Sequence, residues 1–341
     1  MSKAGQILSI SPGAGVPGGE FVIEGDFDTS DPSVFAVWVD DVRAPLVALS
    51  PRRIIAVVPD MKKSGAVAVR VEASGQAGEP ARFILGKKLA EDLHPVTNPA
   101  FNPDDKSLFV TRSGSRGERL PVSLFRIDTA GDVSEFSGDI PNPTAIAFDD
   151  SGQMFVSSRF DGTIYRVSAF REAQPFARNL GIATGLAFAS DGTMHVGDRT
   201  GTIYQVNGIG EEKPWAELEP SVSAYHLAFG PDDALYVTGP TVSSFDSIYR
   251  IERDGTVGTF FKGLGRPQGL AFDGLGNLFV TASFKGRRGV VRIAPNGEDA
   301  ELVLGGMNLV GLAFGPAGEV AVNSIDAVYS VPLGISGVLL S

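Results

Sequence analysis

Three histidines are the side chains of this sequence best suited to moving a proton near neutral pH. His226 follows Tyr225, and such a polar pair could contact a ligand or act as acid and base. The plain alternative is a histidine held by a backbone carbonyl. His195 occupies a place where neighbouring segments carry Phe109, Phe155, Tyr236 and Phe279, so it reads as a packed core residue. His94 precedes Pro95 and reads as a surface loop residue. The chain has no cysteine, which excludes disulfides, thiolate metal sites and a thiol nucleophile. No Gly-x-Ser-x-Gly lies at a strand-to-helix turn. Gly263-Leu264-Gly265 and Gly274-Leu275-Gly276 are turn glycines, not phosphate loops, because no helix follows them.

The second set of chemistry-bearing residues is cationic: Arg112, Arg116, Arg119, Arg159, Arg199, Arg266, Lys285, Arg287 and Arg288. Guanidinium groups match the geometry of carboxylate and phosphate. Phe160 and Phe284 accompany them, as at a contact surface rather than a purely solvating one.

These residues are placed by a repeat. Gly185-Leu186-Ala187-Phe188, a turn at Asp191-Gly192, Met194-His195-Val196 and Ile203-Tyr204-Gln205-Val206 form one copy. The Phe returns at 101, 148, 188, 229, 272 and 314, with steps of 47, 40, 41, 43 and 42 residues. Four short strands in about forty residues is the pattern of a propeller blade. One blade buries neither face, so its stability comes from stacking on its neighbours. Gly and Ala in the first strand let six backbones approach the axis. The ring closes in one of two ways: Gly337-Val338-Leu339-Leu340 completes the last blade, or the stretch near Leu89–Leu93 helps from the other end.

In antiparallel blades, the loops before strand one and after strand two share a face with the channel mouth. All the cations named above fall in those loops. The turns after strand three carry Asp128, Asp132, Glu211, Glu212, Glu252, Asp254, Glu298 and Asp299 on the other face. The expectation is a two-faced molecule with cations around the pocket entrance; the alternative is scattered, solvated charge.

Residues 1–86 read differently. Glu20–Gly25, Val34–Val39, Ile54–Val58, Ala66–Val71 and Ala81–Leu85 are short apolar or alternating runs between turns, as in a β-sandwich. The predicted fold is therefore all-β: an Ig-like sandwich over 1–86 and a six-bladed propeller over 87–341. The formal net charge is −11, which disfavours nucleic acid and anionic membrane as partners. No apolar run is long enough to span a bilayer. As written, with no signal-peptide core, the chain is expected in the cytoplasm; the cell envelope or secretion stays open if an export signal was trimmed.

Two resemblances follow from these residues. Ile10-Ser11-Pro12, Pro17-Gly18-Gly19, Val22–Phe27, Ile54–Pro59 and Val69-Arg70-Val71 resemble a TIG (IPT) domain, whose role beside a larger domain is that of spacer or docking module. DNA binding, known for some such domains, is disfavoured by eight Lys or Arg against ten Asp or Glu in residues 1–86. Residues 98–341 resemble the NHL and gluconolactonase-like propellers. Enzymes of the gluconolactonase and paraoxonase type hold an axial calcium on Glu, Asp and Asn at the entry of the innermost strands. The matching position, four before each Phe, reads Thr97, Thr144, Thr184, Tyr225, Gln268 and Val310, with no carboxylate. No metal or cofactor is therefore expected. The favoured function is non-catalytic recognition of a protein, or of an anionic glycan or small molecule, through Tyr225, His226, Gln268, Arg112, Arg159, Arg199 and Arg266. A hydrolase with a degenerate metal ring and a structural part of a larger assembly remain the alternatives.

Overall fold

The computed structural model describes residues 6–73, 76–114, 118 and 120–338. Among these, everything regular is strand except one 3-10 turn at Pro32–Val34, capped by the Asp31 carboxylate accepting from the Ser33 N–H. No helix among the described residues is long and apolar enough to cross a membrane.

Two sheets share the first core. One runs in the order Gln6–Ser11, Glu20–Asp26, Arg53–Val57, Leu46–Leu49. The other contains Ala14–Gly15, Ala81–Leu85, Gly65–Ala73, Phe35–Val39 and Val42–Ala44. Side chains alternate along a strand, so Val67, Val69 and Val71 turn inward together. They join Phe83 of the neighbouring strand and Phe21, Ile23 and Ile54 of the facing sheet in one apolar cluster.

Six four-stranded antiparallel sheets follow, called blades here. Their innermost strands are Ala100–Phe101, Pro143–Phe148, Ala183–Phe188, His226–Phe229, Leu270–Phe272 and Leu309–Phe314. Each packs on the next, blade one meeting blade two through its second strand, Leu108–Thr111. Ala100–Phe101 also packs on Leu309–Phe314, so the series closes into a ring. Blade junctions repeat one device: an aromatic on a second strand meets the Phe of the next blade's first strand. The pairs are Phe109–Phe148, Phe155–Phe188, His195–Phe229, Tyr236–Phe272 and Phe279–Phe314, with centroids 4.8 to 5.9 Å apart. At the sixth junction Ala321 shares a cluster with Phe101.

Closure uses the second of the two routes open in the sequence. Lys87–Glu91 pairs antiparallel with Ala327–Val331 and is the outer strand of blade six. The chain's end does something else: Gly337 bridges Asp273, and the Val338 N–H donates to the Phe272 carbonyl. Leu339 and Leu340 lie outside the described residues.

One connection has no counterpart in the sequence reading. Ala14–Gly15 runs parallel to Ala81–Leu85 on one side and pairs with Gly305 of blade five on the other. Blade five and the neighbouring sheet thus become one ten-stranded sheet. The backbones approach so closely that a Cβ on Gly19 would lie 2.3 Å from the Gly305 carbonyl oxygen.

Candidate functional site

At the start of the innermost strands, the threonine hydroxyls are committed to neighbouring backbone. Thr97 Oγ1 donates to the Thr144 carbonyl at 2.5 Å. Thr184 Oγ1 donates to the Gly197 carbonyl at 3.1 Å and accepts from the Tyr225 N–H at 3.0 Å. Asn98 reaches two other blades, donating through Nδ2 to the Leu270 carbonyl at 3.0 Å and accepting at Oδ1 from the Leu312 N–H at 3.1 Å. Thr97, Thr144, Thr184, Tyr225 and Val310 are all buried, and Gln268 is half-buried. Among the described residues, no three His, Asp or Glu side chains converge as a metal site would need.

Tyr225 and His226, expected as a polar pair that contacts a ligand, are both buried. Tyr225 is fully buried, and its ring lies against Gly197 and Gly239. Its hydroxyl donates to the Glu219 carbonyl, and burial pushes its pKa up. A Cβ on Gly239 would stand 2.4 Å from that ring, so glycine there makes room for it. His226 is 2% exposed. Neither of its ring nitrogens has a protein partner among the described residues, so the carbonyl-held alternative does not apply. Burial pushes its pKa down to about 3. His195, by contrast, is the packed core residue expected: Nδ1 lies 3.2 Å from the Thr193 carbonyl oxygen and Nε2 lies 3.2 Å from Gln205 Nε2.

The cations lie on the face where strand two ends and strand one begins. Arg159 and Arg199 follow the second strands of blades two and three. Arg159 is half-buried; its Nη2 donates to the Gly114 carbonyl at 3.3 Å. Its pKa is lowered first by burial and then by the charge of Arg199. Among the described residues, Arg112, Arg159, Arg199, Arg266 and Arg288 form no ion pair. Arg116 and Arg119 lie outside the described residues. Arg287 does not look into the open; its Nη1 donates to the Ser11 carbonyl at 2.9 Å.

A groove of about 720 Å³ opens on this face between blades four, five and six. It brings together Arg266, Gln268, Arg288 and Asn308 beside Thr241 and Ser243. Gln268 is therefore a groove residue rather than an axial one. Exposed apolar side chains stand on the same face: Phe160 at 55%, Val242 at 93% and Phe245 at 68%. Sequence reasoning missed the last two, although the Thr241–Phe245 loop is long and uncharged. Acid is present too, but Asp161 is occupied by the Tyr165 hydroxyl at 2.6 Å and by the Thr163 N–H. On the opposite face, the turns between first and second strands add Asp104, Asp105, Asp149, Asp150, Asp191, Asp232 and Asp233 to the acid already expected there.

No protein-family profile matches this chain, and no curated protein does. Solved structures do match, at identities that speak for fold alone. A gluconolactonase of Xanthomonas campestris is 17% identical with a TM-score of 0.58, over 72% of this chain and 89% of that one. An auxiliary nutrient binding protein of Bacteroides thetaiotaomicron is 13% identical with a TM-score of 0.56, over 96% and 98%. The virginiamycin B lyase of Staphylococcus aureus is 13% identical with a TM-score of 0.52, over 92% and 99%. The chain shares a propeller fold with all three.

Proposed function

We propose that this protein is a non-catalytic recognition protein whose basic face binds an anionic partner, a carboxylated glycan or small acid above all. The observation that carries this reading is the pair Arg159 and Arg199. The charge of Arg199 lowers the Arg159 pKa, neither residue forms an ion pair among the described residues, and an arriving anion would relieve that repulsion. Arg266 and Arg288 both line the groove, where Gln268, Asn308 and the serines add donors suited to hydroxyl groups. Phe160, Val242 and Phe245 supply the apolar contact that a purely solvating surface lacks. The first eighty-odd residues are read as a TIG/IPT-like, Ig-like sandwich that holds this face at a set distance, because a shared sheet leaves little room for a hinge. A likeness to a nutrient binding protein over nearly the whole of both chains agrees with a binding role.

The test is titration calorimetry against uronate oligosaccharides and small polycarboxylates at low and moderate salt. Binding should weaken as salt rises, and the double variant R159A/R199A or R266A/R288A should lose about tenfold or more in affinity. Unchanged affinity in both variants rejects the reading. So does turnover in a panel of lactones and esters with added divalent cations, which favours the hydrolase instead.

A further inference from the structure

The groove between blades four, five and six has unlike walls. Val222 and Val242 line it from blade four, and both are exposed. Arg288 lines it from blade five, Asn308 from the link into blade six, and Arg266 and Gln268 from the link into blade five. Arg266 and Gln268 spend only backbone on the protein: the Arg266 N–H donates to Asp246 Oδ2 at 3.3 Å, and the Gln268 carbonyl accepts from Thr238 Oγ1. The Asn308 carbonyl accepts from the Ile325 N–H at 3.2 Å. The side chains of these three residues have no hydrogen-bond partner among the described residues.

The loop that carries Val242 is fixed by its own polar groups. Asp246, itself buried, accepts from the Thr241 N–H at 3.0 Å and the Thr241 hydroxyl at 2.6 Å. Thr241 Oγ1 accepts from the Ser243 N–H at 3.0 Å, and Ser243 Oγ from the Phe245 N–H at 3.0 Å. The Pro240 carbonyl accepts from the Val222 N–H at 2.8 Å, which ties the two valine segments together.

We propose that this groove docks an extended acidic segment of a partner protein, one that alternates carboxylate and aliphatic side chains. The proposal rests on the reading that the groove's arginines take an anion, and adds what carries it. Charge complementarity is the first argument. No carboxylate lines the groove, and neither Arg266 nor Arg288 forms an ion pair among the described residues. Alternation is the second. Side chains of an extended chain point to opposite sides with a period of two, so acids on one side suit the arginines while aliphatics on the other suit Val222 and Val242. The carboxamides are the third: Gln268 and Asn308 each offer a donor and an acceptor together, as a peptide group requires. A sugar ring carries hydroxyls around its rim, which a valine wall leaves unpaired. The fixed loop lowers the ordering cost of docking.

The probe is acetyl-Glu-Leu-Glu-Leu-Glu-amide, measured by calorimetry on the full chain. Wild type should bind it about tenfold or more tightly than the same peptide with Gln for Glu or with Ser for Leu. R266A/R288A should lose about tenfold or more. V222S/V242S, at exposed positions where folding is not at stake, should lose a similar factor for the peptide and keep the wild-type affinity for trigalacturonate. R159A/R199A should bind the peptide as wild type does. No binding of the peptide, equal affinity for the serine peptide, or indifference to V222S/V242S overturns the inference. So does trigalacturonate binding that needs Arg266 and Arg288 while the peptide stays unbound, which assigns the groove to a glycan. Trigalacturonate binding that needs Arg159 and Arg199, without peptide binding, removes this inference and leaves the basic-face reading; peptide binding with no response to any uronate or polycarboxylate does the reverse.

Discussion

The imidazole of His195 meets the ring of Phe229 edge to face, with centroids 5.0 Å apart and planes at 70°. It also meets Trp215 at 4.7 Å. It therefore takes the structural place that Phe109, Phe155, Tyr236 and Phe279 take at the other junctions, with a titratable group in an apolar seam.

That place has a pH consequence. Burial holds the His195 pKa at about 4, against 6.5 when exposed. The unfolded chain binds the extra proton as pH falls below 6.5, and the folded chain does not until about 4. Stability from this residue is thus complete above pH 6.5 and declines between pH 6.5 and 4. H195F should gain on wild type across that window by roughly 2–3 kcal/mol. Urea unfolding at pH 7 and pH 4.5 measures the difference; no change between the two pH values contradicts the assignment.

Gly185 tests the packing near the axis. A Cβ there would lie 2.2 Å from Leu227 Cδ1 and 2.9 Å from the Tyr225 carbonyl oxygen. The leucine can move but the carbonyl belongs to the next blade's backbone. G185L should lower stability by about 1–3 kcal/mol or more, read from the urea midpoint with the slope unchanged.

Gly19 tests the shared sheet. Its Cβ would strike the Gly305 carbonyl at 2.3 Å and the Gly306 nitrogen at 2.8 Å, both backbone atoms. G19V should part Ala14–Gly15 from blade five. The Val16 N–H, now bonded to the Gly305 carbonyl at 2.9 Å, should then exchange with solvent about tenfold faster or more. Unaltered exchange would mean that the junction yields without separating.

The closing strand can be tested by truncation. A chain starting at residue 86 keeps Lys87–Glu91 against Ala327–Val331; one starting at residue 93 does not. The shorter chain should melt about 10 °C lower or more, because blade six loses its outer strand and the ring its fastening. Equal melting temperatures would show that the pairing contributes little.

Much of the scaffold was legible in the residues. The recurring Phe placed the six innermost strands, since burial on both sides of a strand demands apolar runs at a regular spacing. The substitution of His195 for an aromatic marked it as core for the same reason. The face on which each arginine loop falls followed from strand alternation of direction, which assigns each loop to one end of the ring. These are local properties: each depends on a few neighbouring side chains and the period of a strand.

What the sequence left undecided depends on contacts between residues far apart in the chain. Thr97 and Thr184 could have faced a ligand; neighbouring blades offered their hydroxyls backbone partners first. Tyr225 and His226 are adjacent in sequence, yet the Tyr225 hydroxyl finds the Glu219 carbonyl while neither His226 nitrogen has a partner among the described residues. The groove at Arg266 and Gln268 and the seam between Gly15 and Gly305 arise only when the blades are assembled. A linear pattern states which residues prefer burial; the closed ring decides which partners they meet.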